Sequence, residues 1–286
     1  MKLFFLTIMN GLTLAALYFI VASGFTLVFG LMRNVNLAHG SLYLLGAYIG
    51  FTVQEFTGSW MLAAGSGFLS MAVLGLLMQV CIFRHMEGED LRQTLVSIGI
   101  SIILADVMLA VWGGETYQFE IPDILYGIIR LPVIKAYTIY RLFILAMAVL
   151  IGLLLWFFLN RTQVGMKIRA GVADKDMLAA TGVNVHRLFA IVFAIGAGLA
   201  GFAGVVGGSA LSISPGEDLR YLLASLVVVI VGGMGSVGGA ALGALLIGLA
   251  EQFGLAYSPT YGVVYTFVIM VLTLAFRPQG LFGGKA

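Results

Sequence analysis

The chain has 286 residues, of which 61% are hydrophobic and only 10% charged, with a net charge of +2. A soluble domain carries about a quarter charged residues, so this balance, with a mean hydropathy of +1.07, excludes a water-coated globule. The small positive charge is spread through loops and outlines no nucleic-acid surface. A single cysteine, Cys81, excludes an internal disulfide framework and a multi-cysteine metal site.

The spacing of the charges gives the elements. No Asp, Glu, Lys or Arg lies between Lys2 and Arg33, Arg33 and Glu55, Glu55 and Arg84, Arg141 and Arg161, Arg187 and Glu217, Arg220 and Glu251, or Glu251 and Arg277. Each gap holds the roughly 20 apolar residues that cross a bilayer core. The expected fold is all-α, one polytopic integral membrane domain over 1–286. It has about eight hydrophobic segments, the predicted helices covering 4–31, 37–54, 60–83, 94–112, 140–160, 188–208 and 261–276.

An eighth segment, 222–253, is broken by Gly232-Gly233-Met234-Gly235-Ser236-Val237-Gly238-Gly239. Alternating the loops places ten of the fifteen Lys and Arg residues on one side, which the positive-inside rule makes cytoplasmic. The N-terminus is then periplasmic and the C-terminus cytoplasmic, provided that 222–253 enters and leaves on one side. That points to a broken or re-entrant element beside the transport route, since freed backbone at membrane depth must face protein or water. The alternative is a tight glycine hairpin between two ordinary short helices.

Several residues stand out in chain order. Asn36, His39, Gly40 and Ser41 follow the first cytoplasmic turn, and His39 suits either a role near a gate or a packing hydrogen bond. Cys81 reads as a small packed hydrophobe. Asp106 and Glu251 are ionisable groups within spans, which ordinarily face a bundle interior or a wet cavity. Each is a candidate proton relay, or a structural partner for a hydroxyl or backbone group. Trp112, Tyr117, Phe119, Tyr126 and Tyr137, in and beside the loop 113–139, form either an interfacial belt or a docking platform. The loop 161–187 is the longest cytoplasmic segment. Asp174 and Asp176 begin a possible short helix there, Ala179 and Ala180 continue it, and Gly182 offers its stop. Farther on, Gly196, Gly198, Gly201, Gly204, Gly207 and Gly208 strip one span of bulk, as close helix packing in lipid requires.

The chain resembles the permeases of branched-chain amino acid (Liv-type) ABC importers over nearly its whole length. The matching stretches are Asn10-Gly11-Leu12, Asn36-Leu37-Ala38-His39-Gly40, the loop from Gly165 to Gly182, Ile195 to Gly201, the glycine break 232–239, and Arg277-Pro278-Gln279-Gly280-Leu281-Phe282-Gly283. The resemblance implies an inner-membrane subunit without enzymatic activity or cofactor of its own. It would pair with a second homologous permease, two cytoplasmic ABC ATPases that use ATP and Mg, and a periplasmic or lipid-anchored substrate-binding protein. It also implies that 165–182 carries the ATPase-coupling element. Related importers often place Glu-Ala-Ala before a glycine there, whereas this chain has Ala179-Ala180-Thr181-Gly182, with Asp176 the nearest acid. No Walker phosphate loop occurs, so ATP falls to a partner.

The expected solutes are branched-chain amino acids or the urea, amides and aromatic acids of relatives. Candidate path contacts are Asn36, His39, Gly40, Ser41, Gly232, Gly233, Gly235, Ser236, Gly238 and Gly239. The rival expectation is a self-contained proton-coupled transporter using Asp106 or Glu251.

Overall fold

In the computed structural model, which describes residues 2–32, 35–129 and 136–282, eleven α-helices account for nearly all regular structure. They are α1 (Lys2–Met32), α2 (His39–Thr57), α3 (Trp60–Cys81), α4 (Asp90–Trp112), α5 (Ile139–Arg161), α6 (Gln163–Ala173), α7 (Lys175–Ala180), α8 (Val185–Leu211), α9 (Glu217–Gly232), α10 (Val237–Tyr257) and α11 (Gly262–Phe276). A two-residue ribbon, β1 (Ile128–Ile129) against β2 (Tyr137–Thr138), closes the loop before α5. Arg33, Arg130, Lys135, Gly283, Lys285 and Ala286 lie outside the described residues.

The chain is an all-α multi-pass membrane protein. Six helices (α1, α3, α4, α5, α8 and α10) are long and apolar enough to cross a bilayer. Their burial separates two roles. The apolar windows of α1 and α8 are 89% and 78% buried inside the chain, whereas that of α4 is 11% buried. So α1 and α8 form the centre, with α2, α9 and α10 around them, and α4 and α5 turn most of their apolar surface outward. Helices that associate in lipid rely on small residues for close approach, and α8 supplies them. A side chain at Gly201 would strike the Gly67 carbonyl of α3, one at Gly204 the Tyr43 carbonyl of α2, and one at Gly196 the Val28 side chain of α1.

The glycine-broken segment consists of two helices, α9 and α10, joined by the turn 233–236. Gly233 and Gly235 take positive φ, and Ser236 caps α10 by accepting from the Gly239 N–H at 3.0 Å. Both arms leave the turn in the same direction, and Gly232 and Gly239 touch backbone to backbone where they separate. α10, at 21 residues, is long enough to span by itself, so the segment is closer to a hairpin of helices than to two half-membrane arms. The tail after α11 returns to this turn. Leu281 and Phe282 donate to the carbonyls of Val231 and Gly232, which satisfies the buried C-terminal carbonyls of α9.

Two outer features depart from the sequence expectations. Cys81, the last residue of α3, is exposed rather than packed, because that helix turns only one flank to the bundle. In the loop after α4, Phe119 and Tyr137 are buried and Trp112 donates to Thr52 Oγ1 at 2.8 Å. Among the five aromatics, Tyr126 is the one left openly exposed, at 66%.

Candidate functional site

Two helices begin inside the bundle rather than at its ends. His39, the first residue of α2, places Nε2 3.1 Å from the Val21 carbonyl and packs its ring edge on Phe25. From Val21, α1 continues to Met32, so α2 starts about 16 Å short of the end of α1. α9 has 16 residues, about 24 Å, less than the roughly 30 Å hydrocarbon core. Its first turn lies against that of α2, where a side chain at Gly40 would collide with the Asp218 carbonyl. Gly40 is therefore a close-approach residue.

This junction gathers polar groups at bilayer depth. Ser41 Oγ lies 2.7 Å from Ser101 Oγ of α4 and donates to Asp218 Oδ2 at 3.1 Å. Tyr43 and Tyr221 face each other with ring centroids 4.1 Å apart. On the other side of α9, Tyr18 of α1 donates to Glu251 Oε2 of α10 at 2.7 Å. The Arg220 guanidinium stands 3.8 Å from Glu251 Oε1 and 3.5 Å from Glu217. Glu251 is buried, and Arg220 is half-exposed. A pocket of about 100 Å³ opens between these groups, with Thr266 of α11 on its wall.

The singled-out residues fall into four places. Asn36, His39, Gly40 and Ser41 meet at the start of α2, where Asn36 Oδ1 accepts from the Ala38 N–H at 3.1 Å. Gly232, Gly233, Gly235, Ser236, Gly238 and Gly239 sit elsewhere, at the α9–α10 turn. Gly235 packs against Gly30 of α1, nine positions beyond Val21, so the two groups lie about 14 Å apart along α1. Glu251 joins Tyr18 and Arg220, as above. Asp106 does not face the interior: it is exposed on the outward side of α4 between exposed Ile103 and Leu109.

The coupling candidates are at the end of the molecule that carries the α9–α10 turn. Thr162 caps α6 by accepting from the Gly165 N–H at 3.0 Å, and Gly165 lies so close to Phe158 and Leu159 that no side chain fits. Asp174 caps the six-residue α7 by accepting from the Met177 N–H at 2.8 Å. Gly182 ends it with φ +83°. Leu178 packs inward, whereas Asp176, Met177, Ala179 and Ala180 face out.

Tyr18, Ser101, Asp218 and Arg220 were not singled out from the sequence: 209–221 reads as a loop, and a lone hydroxyl within a span, as at Tyr18 and Ser101, carries no signal of its partner. The available signal was Glu217-Asp218 after Pro215-Gly216, an acidic first turn that starts a helix earlier than the apolar run. Among the described residues no cluster of three or more His, Cys, Asp or Glu is placed to hold a metal ion.

Residues 7–274 match the family described as the branched-chain amino acid transport system / permease component. The chain belongs to this permease family. It is 32% identical to the high-affinity branched-chain amino acid transport system permease protein BraD of Pseudomonas aeruginosa, covering 96% of this chain and 94% of that relative. It is 29% identical to the permease protein LivH of Escherichia coli K12, over 96% and 94% of the two chains. The LivM permease protein of the same organism is 25% identical, over 94% of this chain and 68% of that protein. No solved structure matches. These relatives are named as transport permeases, and the helical architecture above accords with a permease.

Proposed function

We propose that this permease is the membrane subunit of an ATP-driven importer that carries branched-chain amino acids into the cell. The observation that carries the reading is the match over nearly the full chain to permeases of branched-chain amino acid transport systems. Its sites fit that work. α7 offers Asp176, Met177, Ala179 and Ala180 outward on a short capped helix, a shape suited to a groove on an ATPase. The chain resembles both LivH and LivM, which supports pairing with a second, homologous permease. Two cytoplasmic ATPases would use ATP and Mg, and a binding protein would deliver the solute on the opposite face. The excess of Lys and Arg at the α6–α7 end argues for a cytoplasmic position in a bacterial inner membrane, with a periplasmic N-terminus and a cytoplasmic C-terminus.

In this reading the permease pair alternates between inward- and outward-facing packings, and ATP binding at the coupling helices favours one of them. The glycine seams of α8 suit that movement because α8 adds no side chains of its own there. Purification of the tagged chain from native membranes, with its companions identified by mass spectrometry, tests the assembly. Two P-loop ATPases and a second permease are the expected companions. Recovery of the chain by itself, with transport in liposomes that needs no ATP, would overturn the reading.

A further inference from the structure

We propose that the pocket between α1, α9, α10 and α11 binds an α-amino acid as its zwitterion. Arg220 would take the carboxylate and Glu251 the ammonium, with an aliphatic side chain lying along Leu223 and Phe267. The proposal rests on the importer reading and names what its path holds.

Three features point to a ligand rather than to a closed structural pair. Arg220 and Glu251 are near enough to attract each other, yet 3.8 Å is too long for a direct hydrogen bond. Glu251 is fixed at Oε2 by Tyr18, which aims Oε1 at Arg220. Thr266, 6% exposed, lines the same pocket, and among the described residues its Oγ1 has no hydrogen-bond partner. Buried hydroxyls are ordinarily satisfied. An orphan hydroxyl beside an incompletely closed ion pair offers hydrogen-bonding capacity to a polar ligand.

Charge and size select the ligand class. A zwitterion gives each of the two charged groups a counter-charge at hydrogen-bond distance, and charge-assisted bonds are the strong ones. A neutral amide or urea carries neither the carboxylate that Arg220 would take, in addition to its contact with Glu217, nor the ammonium that Glu251 would take. The pocket's volume of about 100 Å³ matches the share of about three liquid waters, so it holds a compact ammonium-carboxylate head. The side chain must extend toward the open flank, where Leu223 and Phe267 are exposed and make the surface apolar. Arg220 is 52% exposed on that flank. A guanidinium at bilayer depth needs protein or water before it, not lipid, so the flank suits a partner subunit or a wet cavity.

The test measures binding of radiolabelled L-leucine to the full chain in lipid nanodiscs, alongside leucine uptake by the complete importer in proteoliposomes. Binding should be displaced by isoleucine and valine, and not by 4-methylpentanoate or 3-methylbutylamine, which each lack one charged group. Arg220→Gln and Glu251→Gln should each weaken binding about tenfold or more, and Thr266→Val about threefold. Thr266→Val keeps the shape and leaves the ion pair untouched, so its effect separates ligand contact from folding. Absent leucine binding in the well-folded wild-type chain, or binding indifferent to all three variants, overturns the site. Full-rate uptake by Arg220→Gln and Glu251→Gln importers also overturns it and leaves the importer reading intact. Failure of the wild-type complex to take up leucine would instead count against that reading.

Discussion

Tyr18 and Glu251 are 233 positions apart in sequence and 2.7 Å apart in the fold. Glu251 is legible in the sequence as an acid within an apolar run, but its partners are not. A hydroxyl on α1 and a guanidinium on α9 are brought to it only by packing. Asp106 is the converse case: the sequence places it inside a span as well, and the rotation of α4 turns it outward. The sequence signal for that rotation is polar rather than apolar: Gln93 and Ser97 are buried and Ser101 meets Ser41, one helical stripe that turns Asp106 to the outside. At this scale, Tyr18→Phe removes the donor to a buried carboxylate. It should lower stability by about 1–3 kcal/mol, read by thermal unfolding in detergent. An unchanged unfolding temperature would mean that the bond is not formed.

The helices themselves were legible wherever charge-free gaps bound them, since a bilayer sets their length. The start of α2 was legible to within two residues, though not its depth, whereas the early start of α9 at Glu217 was harder to see. Such starts put polar first turns at membrane depth, and a sequence with Glu217, Asp218 and Arg220 in succession reads as loop. The close approaches of glycine were legible as a class but not one by one. At the α9–α10 turn, Gly238 meets open space, whereas a side chain at Gly239 would strike the Gly232 carbonyl. Gly238→Ala should therefore be tolerated, and Gly239→Ala should abolish a monodisperse species on size-exclusion chromatography. Equal behaviour of the two variants would contradict the backbone contact.

α7 makes a second prediction at this scale. Replacing Asp176 together with Gly182, whose φ of +83° strains any side-chain-bearing residue, should uncouple the ATPases. Hydrolysis should continue while uptake falls, with the complex still assembled. Undiminished uptake would remove α7 from the coupling role.

Across the whole molecule, charge-free gaps, loop charges and the family resemblance outlined a multi-pass permease before any contact was known. What they could not supply was depth. The path residues beside α2 and those at the glycine turn look alike in sequence, yet they sit about 14 Å apart along α1. Orientation can be read directly by cysteine labelling in a Cys81→Ser background. Tyr126→Cys, exposed in the loop before α5, should label from the periplasm, and Met177→Cys, exposed on α7, from the cytoplasm. The reverse pattern would invert the topology.

The central claim, that this permease carries branched-chain amino acids as one subunit of an ATP-driven importer, is tested most directly by uptake. The measurement is radiolabelled leucine accumulation in proteoliposomes holding the permease pair, its ATPases and the binding protein. Accumulation that requires both ATP and this chain is the predicted result. Accumulation that persists without ATP and collapses with a protonophore would contradict it.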